Sequence, residues 1–300
     1  MTIQSGRRRR LLPLAAAVLA ITLACAIPIP TVQPLTVTDL VEETHQVLLG
    51  DEQRAEIRLR LLSDTLAVRA GDDAGLLSGS FRYNVTEWAP KVDQTSEDGT
   101  LRVTVDQGLG SQILLGKDDA YQNTWDVRLG RAVPIDLEVD MGTGIADLDM
   151  TGLPLTKLSV TSGSTDLSLA FATPNPEPLG SLRLTAGTGT VTATGLGNAN
   201  FDTFSTLGGT GTLDLDFSGA LQRSAVADIK AGAGSITLRV PADLGVRVTL
   251  SGVLSVAKVQ GTGFAEESEG VYVNAAYGIS PLTLTVRVGT GVGAITLISQ

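Results

Sequence analysis

Hydrophobic and polar residues alternate along most of the chain after residue 36. In Glu56–Leu61 every second residue is apolar, and residues 79–85 and 101–105 repeat this alternation. A period of two is typical of a strand with one buried and one solvated face. Clusters of Gly and Asp separate the runs, and no run has the period of a helix. The pattern predicts an all-β protein.

The second half of the chain repeats a glycine unit, Gly-x-Gly in most copies, between alternating runs, which we interpret as a tight turn joining two strands. Aligning the copies on Gly144, Gly163, Gly189, Gly211 and Gly234 gives a period of about 23 residues. Residues two and four positions after this glycine are predicted to point inward: Ala146, Leu148, Thr165, Leu167, Val191, Ala193, Leu213, Leu215, Ile236 and Leu238. The residues between them are predicted to point outward: Asp147, Asp149, Asp166, Ser168, Asp214, Asp216, Thr237 and Arg239.

A single coil of this length cannot bury its apolar side chains, whereas stacked coils share one continuous core. The repeats therefore predict a β-solenoid (β-helix) of roughly 23-residue coils over residues 134–300, preceded by a small N-terminal β domain over residues 36–133. A sandwich in which the Gly-x-Gly turns close hairpins is the alternative. The interval from Gly234 to Gly291, 291 minus 234 or 57 residues, leaves room for two more coils, one of them degenerate near Gly252.

The first 24 residues are predicted to be a signal peptide. A basic run, Arg7–Arg10, precedes an apolar run that Pro13 interrupts and that is shorter than the roughly 20 residues of a spanning helix. The run ends in Ile21–Cys25, which resembles the bacterial lipobox and predicts that Cys25 is lipidated, although Thr22 stands where Leu is usual. Cleavage without lipidation, which would release a soluble protein, is the alternative.

Residues 25–35 are predicted to form a stalk behind the lipidated cysteine, because three prolines in this segment favour an extended backbone. We therefore expect an extracytoplasmic protein that an N-terminal lipid anchors to the bacterial membrane. Two or three acyl chains hold a protein firmly, whereas one chain alone gives marginal binding.

Charge and composition exclude several classes of function. The chain has 32 acidic and 22 basic residues, and four of the basic ones lie in Arg7–Arg10, ahead of Cys25. The remaining chain has no cluster of Lys or Arg, so we expect no nucleic-acid partner. With one Cys and one His in 300 residues, neither a zinc site nor a thiol-based site can be assembled, and we expect no cofactor.

The candidates for catalysis or metal binding have simpler structural explanations. His45 lies among acidic residues near the first strand and is predicted to be a surface residue. Outward Asp147, Asp166 and Asp214 recur regularly, which is typical of a solvated face rather than of a carboxylate pair for glycoside hydrolysis. Asp214 also lies one residue too late for the calcium-binding repeat of β-rolls. We predict no catalytic residue, with a polysaccharide-acting hydrolase or lyase as the alternative.

Three stretches resemble the bacterial toast-rack family. They are Tyr83–Val92, Asn123–Leu129 and the start of the first coil, Ile135–Val139. Members of that family are cell-envelope proteins in which a toast-rack domain precedes an adhesin-like β-solenoid, and they are related to LiaF-type proteins of the cell-wall-stress response. The resemblance implies a membrane-anchored, non-enzymatic lipoprotein that acts as a surface binding or scaffold module. An accessory or sensor protein in cell-wall-stress signalling is the alternative.

The expected partners are the membrane, through the lipid on Cys25, and an envelope protein or a cell-wall polymer. The polymer or protein would contact the flat rows of outward Thr, Ser and Asp side chains. The last coil, Leu284–Ile298, is strongly apolar, and its edge is predicted to self-associate weakly or to be covered by residues 253–280. The acidic stretch Glu266–Gly270 is predicted to be a solvated loop between coils.

Overall fold

The computed structural model describes residues 36–71, 75–107, 120–252 and 263–300, so the predicted signal peptide, Cys25 and the predicted stalk lie outside the described residues. Leu35–Gln300 form one compact unit. The described residues contain strands and two single-turn 3₁₀ helices, Thr86–Trp88 and Leu196–Ala199, and among them no helix is long and apolar enough to cross a membrane. The predicted all-β class is confirmed.

The strands are β1 (Val37–Val47), β2 (Arg54–Ala70), β3 (Leu77–Val85), β4 (Pro90–Glu97), β5 (Thr100–Gln107), β6 (Asn123–Leu129), β7 (Ile135–Asp149), β8 (Leu155–Ala170), β9 (Leu179–Thr194), β10 (Phe201–Asp216), β11 (Ala225–Val240), β12 (Gly245–Ser251), β13 (Phe264–Ser268), β14 (Val271–Asn274) and β15 (Thr283–Ser299).

A stack of parallel strands forms the body of the protein. Strands β2, β7, β8, β9, β10, β11 and β15 are neighbours in that order, and each pair is parallel. Each of the strands β7 to β10 is followed by a loop that returns to the start of the next one, so one strand and one loop make one coil. Parallel pairing favours the solenoid over the hairpin sandwich, since hairpins join antiparallel strands.

The Gly-x-Gly units lie in the middle of long strands and not in tight turns, which corrects the predicted unit. Gly211, for example, lies inside β10 with φ +147°, a conformation that favours glycine. A Cβ atom built on Gly211 would lie 1.9 Å from the carbonyl oxygen of Gly189 in the neighbouring coil. The backbone therefore bends and packs closely along a column of stacked glycines.

The predicted alignment of the second coil is wrong by two residues. Gly163 packs against Gly142, and Thr165 is the partner of Gly144. A shift of two residues keeps every side chain on its predicted face of the strand. All ten side chains predicted to point inward are buried, and the eight predicted to point outward are exposed or half-buried.

The core runs through all the coils as one hydrophobic cluster. Aliphatic side chains dominate it, and aromatic contacts occur at two places. Phe81 packs edge-on against Trp125 with ring centroids 5.1 Å apart, and Phe204 packs edge-on against Phe217 at 5.8 Å. The small inward side chains explain why the chain needs few aromatic residues.

Two extensions continue the stack at its N-terminal end, and each begins with a strand parallel to β2 and goes on with antiparallel pairs. The first half of β2 pairs with β5, which pairs with β4, and the second half pairs with β6, which leads to β3 and β1. The predicted boundary at residues 133/134 falls just before β7, where the sheet is continuous because β2 and β7 pair from Ala55–Ile135 to Val68–Leu148. The division into two domains stays a prediction.

The last strand of the chain is not the last strand of the stack. One side of β15 pairs with β11, and its first half, from Thr283 to Gly289, pairs on the other side with β12. In the stack no coil therefore lies between β11 and β15, and the predicted degenerate coil near Gly252 corresponds to β12, which stacks beyond β15 and covers the predicted open edge along this half. The acidic stretch, predicted as a loop, instead contributes Glu266–Ser268 to the β13–β14 hairpin.

Buried asparagines support the loops between coils. The Asn175 side chain accepts a hydrogen bond from the Leu155 N–H at 3.1 Å and donates to the carbonyl oxygens of Leu155 and Glu177 at 2.7 and 2.8 Å. Asn274 has an equivalent role, accepting from the Val246 N–H and donating to the Leu244 carbonyl. These side chains supply partners to buried backbone groups at the start of a strand.

Candidate binding surface

The bend at the glycine column divides the solvent-facing surface of the stack into two faces. We call the outward side chains that precede the glycines the front face and those that follow them the back face. On β7 the front face carries Asp136, Glu138 and Asp140, and the back face carries Asp147 and Asp149. Because the strands are in register, each face is a set of rows that cross all the coils.

Ion pairs cover the N-terminal part of the front face. Arg58 contacts Glu138 at 2.5 Å and Arg102 contacts Glu56 at 3.1 Å, both around a shallow depression of about 270 Å³. Arg60 contacts Asp106 at 3.3 Å beside it. Every carboxylate in these pairs has a cation beside it, so the depression lacks the free acid and base that hydrolysis requires.

One carboxyl group in this network is disfavoured as an anion. The pKa of Asp140 is raised above its ordinary value by burial and by the nearby Glu138 carboxylate, and Arg58 and Arg60 offset part of this rise. Below the unfolded pKa of about 3.9 the carboxyl is neutral in both states. As the pH rises through the folded pKa, ionisation costs the folded state stability.

We expect Asp140→Asn to be at least as stable as the wild type at pH 7, because the amide cannot ionise. The gain should be below about 0.5 kcal/mol, since the side chain is 36% exposed and solvent screens its charge. Urea unfolding at pH 7 and pH 4 checks this, and the difference should shrink at the lower pH. A clear loss of stability at pH 7 would mean that the favourable interaction of the Asp140 carboxylate with Arg60 exceeds the cost of burying its charge.

The front face changes character on β8, β9 and β10. We call its central group the Arg183 patch, which consists of Lys157, Ser159, Ser181, Arg183, Thr203 and Ser205. Lys157 pairs in register with Ser181, and Arg183 lies between Ser159 and Ser205. The patch has two cations, four hydroxyl groups and no carboxylate. Among the arginines that the structure describes, Arg183 alone has neither a hydrogen-bond nor an ion-pair partner.

The back face of the same strands is acidic. Asp166, Asp214 and Asp216 lie there, as the sequence predicts, but protein groups already contact their carboxylates. Asp214 pairs with Arg239, Asp166 accepts a hydrogen bond from the Thr190 N–H at 3.2 Å, and Asp216 accepts one from the Ser218 N–H at 2.8 Å. The two faces of these coils therefore differ in charge.

His45 lies in the edge strand β1. Its ring packs edge-on against Phe81 with centroids 5.6 Å apart, and its Nε2 is 3.5 Å from a Glu43 oxygen. Burial raises the pKa of the Tyr83 hydroxyl, and Glu43 raises it further. No group of three or more His, Cys, Asp or Glu side chains suited to a metal ion occurs among the described residues.

The sequence identified the outward rows but not the Arg183 patch. One signal in the sequence could have indicated the patch. The segment around Arg183, residues 181–185, contains no acidic residue, whereas the segment around Arg58 and Arg60 does. Whether an arginine has an ion-pair partner depends on the register of the neighbouring strands. Counting repeats gave the wrong register for β8.

Comparison with known proteins relates the chain to one family model. Residues 36–177 match the N-terminal domain of toast_rack, DUF2154. No curated protein matches the sequence.

Among solved structures, a proposed cell adhesion protein from Clostridium sporogenes ATCC 15579 is similar over 87% of this chain and 100% of its own, with 21% sequence identity and a TM-score of 0.51. A proposed adhesin from Bacteroides fragilis NCTC 9343 is similar over 86% and 96%, with 13% identity and a TM-score of 0.36. The first likeness shows a shared fold.

Proposed function

We propose that the protein is a non-enzymatic, adhesin-like binding module of the bacterial cell envelope, because residues 36–177 match the N-terminal domain of toast_rack. The observation that carries the proposal is the pair of extended outer faces, which repeat the same positions from coil to coil. Such surfaces suit contact with a long partner, as in other repeat proteins. The proposed adhesion role of the Clostridium protein, which shares the fold, supports this proposal.

A binding role fits the chemistry of the faces better than hydrolysis does. The carboxylates of the front-face depression pair with arginines, and those on the back face of β8 and β10 accept protein hydrogen bonds. A glycosidase instead needs one protonated acid and one free carboxylate close together. We expect no release of reducing ends when the protein is incubated with cell-wall polysaccharides.

The anchoring part of the proposal depends on Cys25, which lies outside the described residues. We expect Cys25→Ala to leave the membrane fraction and to incorporate no labelled palmitate, because this cysteine is the single thiol in the chain. Thr22→Leu is the matched control, since it brings the segment closer to the usual lipobox and should keep the protein in the membrane. Membrane retention of Cys25→Ala would refute the lipoprotein assignment.

A further inference from the structure

We propose that the Arg183 patch binds a carboxylate-bearing polysaccharide of the cell envelope. This inference rests on the proposed function and names the ligand class and its site. The patch breaks a rule that the rest of the described surface follows, namely that an arginine has a partner within the protein.

The carboxylates that border the patch are already engaged by other arginines. Asp136, the register neighbour of Lys157, contacts Arg54 at 3.2 Å. Asp228, the register neighbour of Ser205, contacts Arg287 at 3.2 Å. Asp202, beside Thr203, contacts Arg223 at 2.9 Å.

Arg183 is therefore left with an exposed guanidinium group and no internal counter-ion. Its planar fork of N–H donors matches the two oxygens of a carboxylate. Lys157, which is also exposed and without a partner, adds a second positive charge on the adjacent strand. The buried neighbours Leu182 and Leu184 hold the base of Arg183 in the sheet.

The four hydroxyl side chains suit the uncharged part of a sugar polymer. Ser and Thr hydroxyls both donate and accept hydrogen bonds, as sugar hydroxyls do. Because neighbouring strands lie about 4.8 Å apart, a polymer lying across the strands would meet one set of side chains for roughly every sugar ring. Ser159 and Ser181, the register partners of the two cations, have short side chains, which leaves room for the polymer to lie close to the sheet.

The distribution of charge favours a polymer with at most one carboxylate per sugar over more densely charged polyanions. The whole chain has a net charge of −10, and Asp166, Asp214 and Asp216 occupy the other face of the same coils. Nucleic acid carries one charge per about 1.7 Å of duplex and is bound by many cations. Anionic membrane surfaces attract clusters of about four to eight basic residues. Two cations among hydroxyls fit neither pattern.

The test compares Arg183→Ser with the matched control Lys91→Ser, which removes an exposed positive charge from β4, outside the patch. The full chain in non-ionic detergent is titrated with polygalacturonate and with dextran of similar mass. We expect the wild type to bind polygalacturonate, more weakly as salt is added, and not to bind dextran. Arg183→Ser should weaken binding about tenfold, as expected for loss of one charge-assisted hydrogen bond, with no change in Tm. Lys91→Ser should change Kd by less than about twofold.

Several results would overturn the proposal: equal losses in the two variants, equal binding of dextran, or binding to phosphatidylglycerol vesicles without binding to polygalacturonate. Sedimentation with isolated cell envelopes, with both proteins in a Cys25→Ala background that lacks the proposed lipid, separates this proposal from the proposed function. Equal retention of wild type and Arg183→Ser would refute the patch as the site while leaving the envelope-binding function intact. Absence of wild-type retention would contradict the envelope-binding function itself.

Discussion

Gly211→Ala is expected to destabilise the protein by about 4 kcal/mol or more, which lowers Tm by about 10 °C or more. The new Cβ would lie 1.9 Å from the Gly189 carbonyl oxygen, and the φ of +147° is strained for alanine. Rotating a side chain cannot relieve the clash, because the obstructing atoms belong to the backbone of the neighbouring coil. It cannot relieve the strain in φ either, because that strain lies in the backbone of residue 211 itself. Thermal unfolding followed by circular dichroism measures the effect.

Gly180→Ala is the matched control for this change. Gly180 lies at an exposed position in β9, and the nearest atom to its added Cβ is the Thr156 carbonyl oxygen, 3.9 Å away. Its Tm should stay within about 2 °C of the wild type. A Gly211→Ala protein that unfolds together with this control would show that the coils do not stack in the observed register.

Asn175→Ala is expected to cost about 3 kcal/mol, the second largest effect. The change removes three hydrogen bonds and leaves the Leu155 and Glu177 carbonyl oxygens without this partner. Asn274→Ala should cost a similar amount, because it removes the equivalent contacts to Val246 and Leu244.

The exposed loop variant Gln222→Ala controls for the loss of a polar side chain and should be within about 0.5 kcal/mol of the wild type. Urea unfolding with a constant m-value checks all three variants. Wild-type stability of both asparagine variants would show that these side chains do not support the loops.

The alternation of apolar and polar residues was enough to predict which side chains are buried. Leu213 and Leu215, for example, are buried in β10, and Asp214 between them faces outward, as the period of two requires. Even the misaligned second coil kept its inward residues, because the error was two positions and the period is also two.

Other features depend on contacts that the sequence pattern does not specify. The second coil has a single glycine, Gly163, followed by Ser164 and Thr165, so repeat counting cannot decide which column the glycine joins. The position of β15 between β11 and β12 is non-local, since the chain makes β12, β13 and β14 before it returns to fill the place beside β11. The lack of an ion-pair partner for Arg183 likewise depends on strand register, because the register places serines of β8 and β10 beside it.

The proposed front-face contact with the cell envelope is tested most directly by site-specific photo-crosslinking in bacteria that express the full chain. A photoreactive residue replaces Ser205 on the front face or Thr192 on the back face, both outward positions of adjacent coils. We predict a high-mass, glycan-containing adduct in the envelope fraction for the variant at position 205 and little or none at position 192. Absence of an adduct at both positions, or an adduct at position 192 alone, would contradict the account.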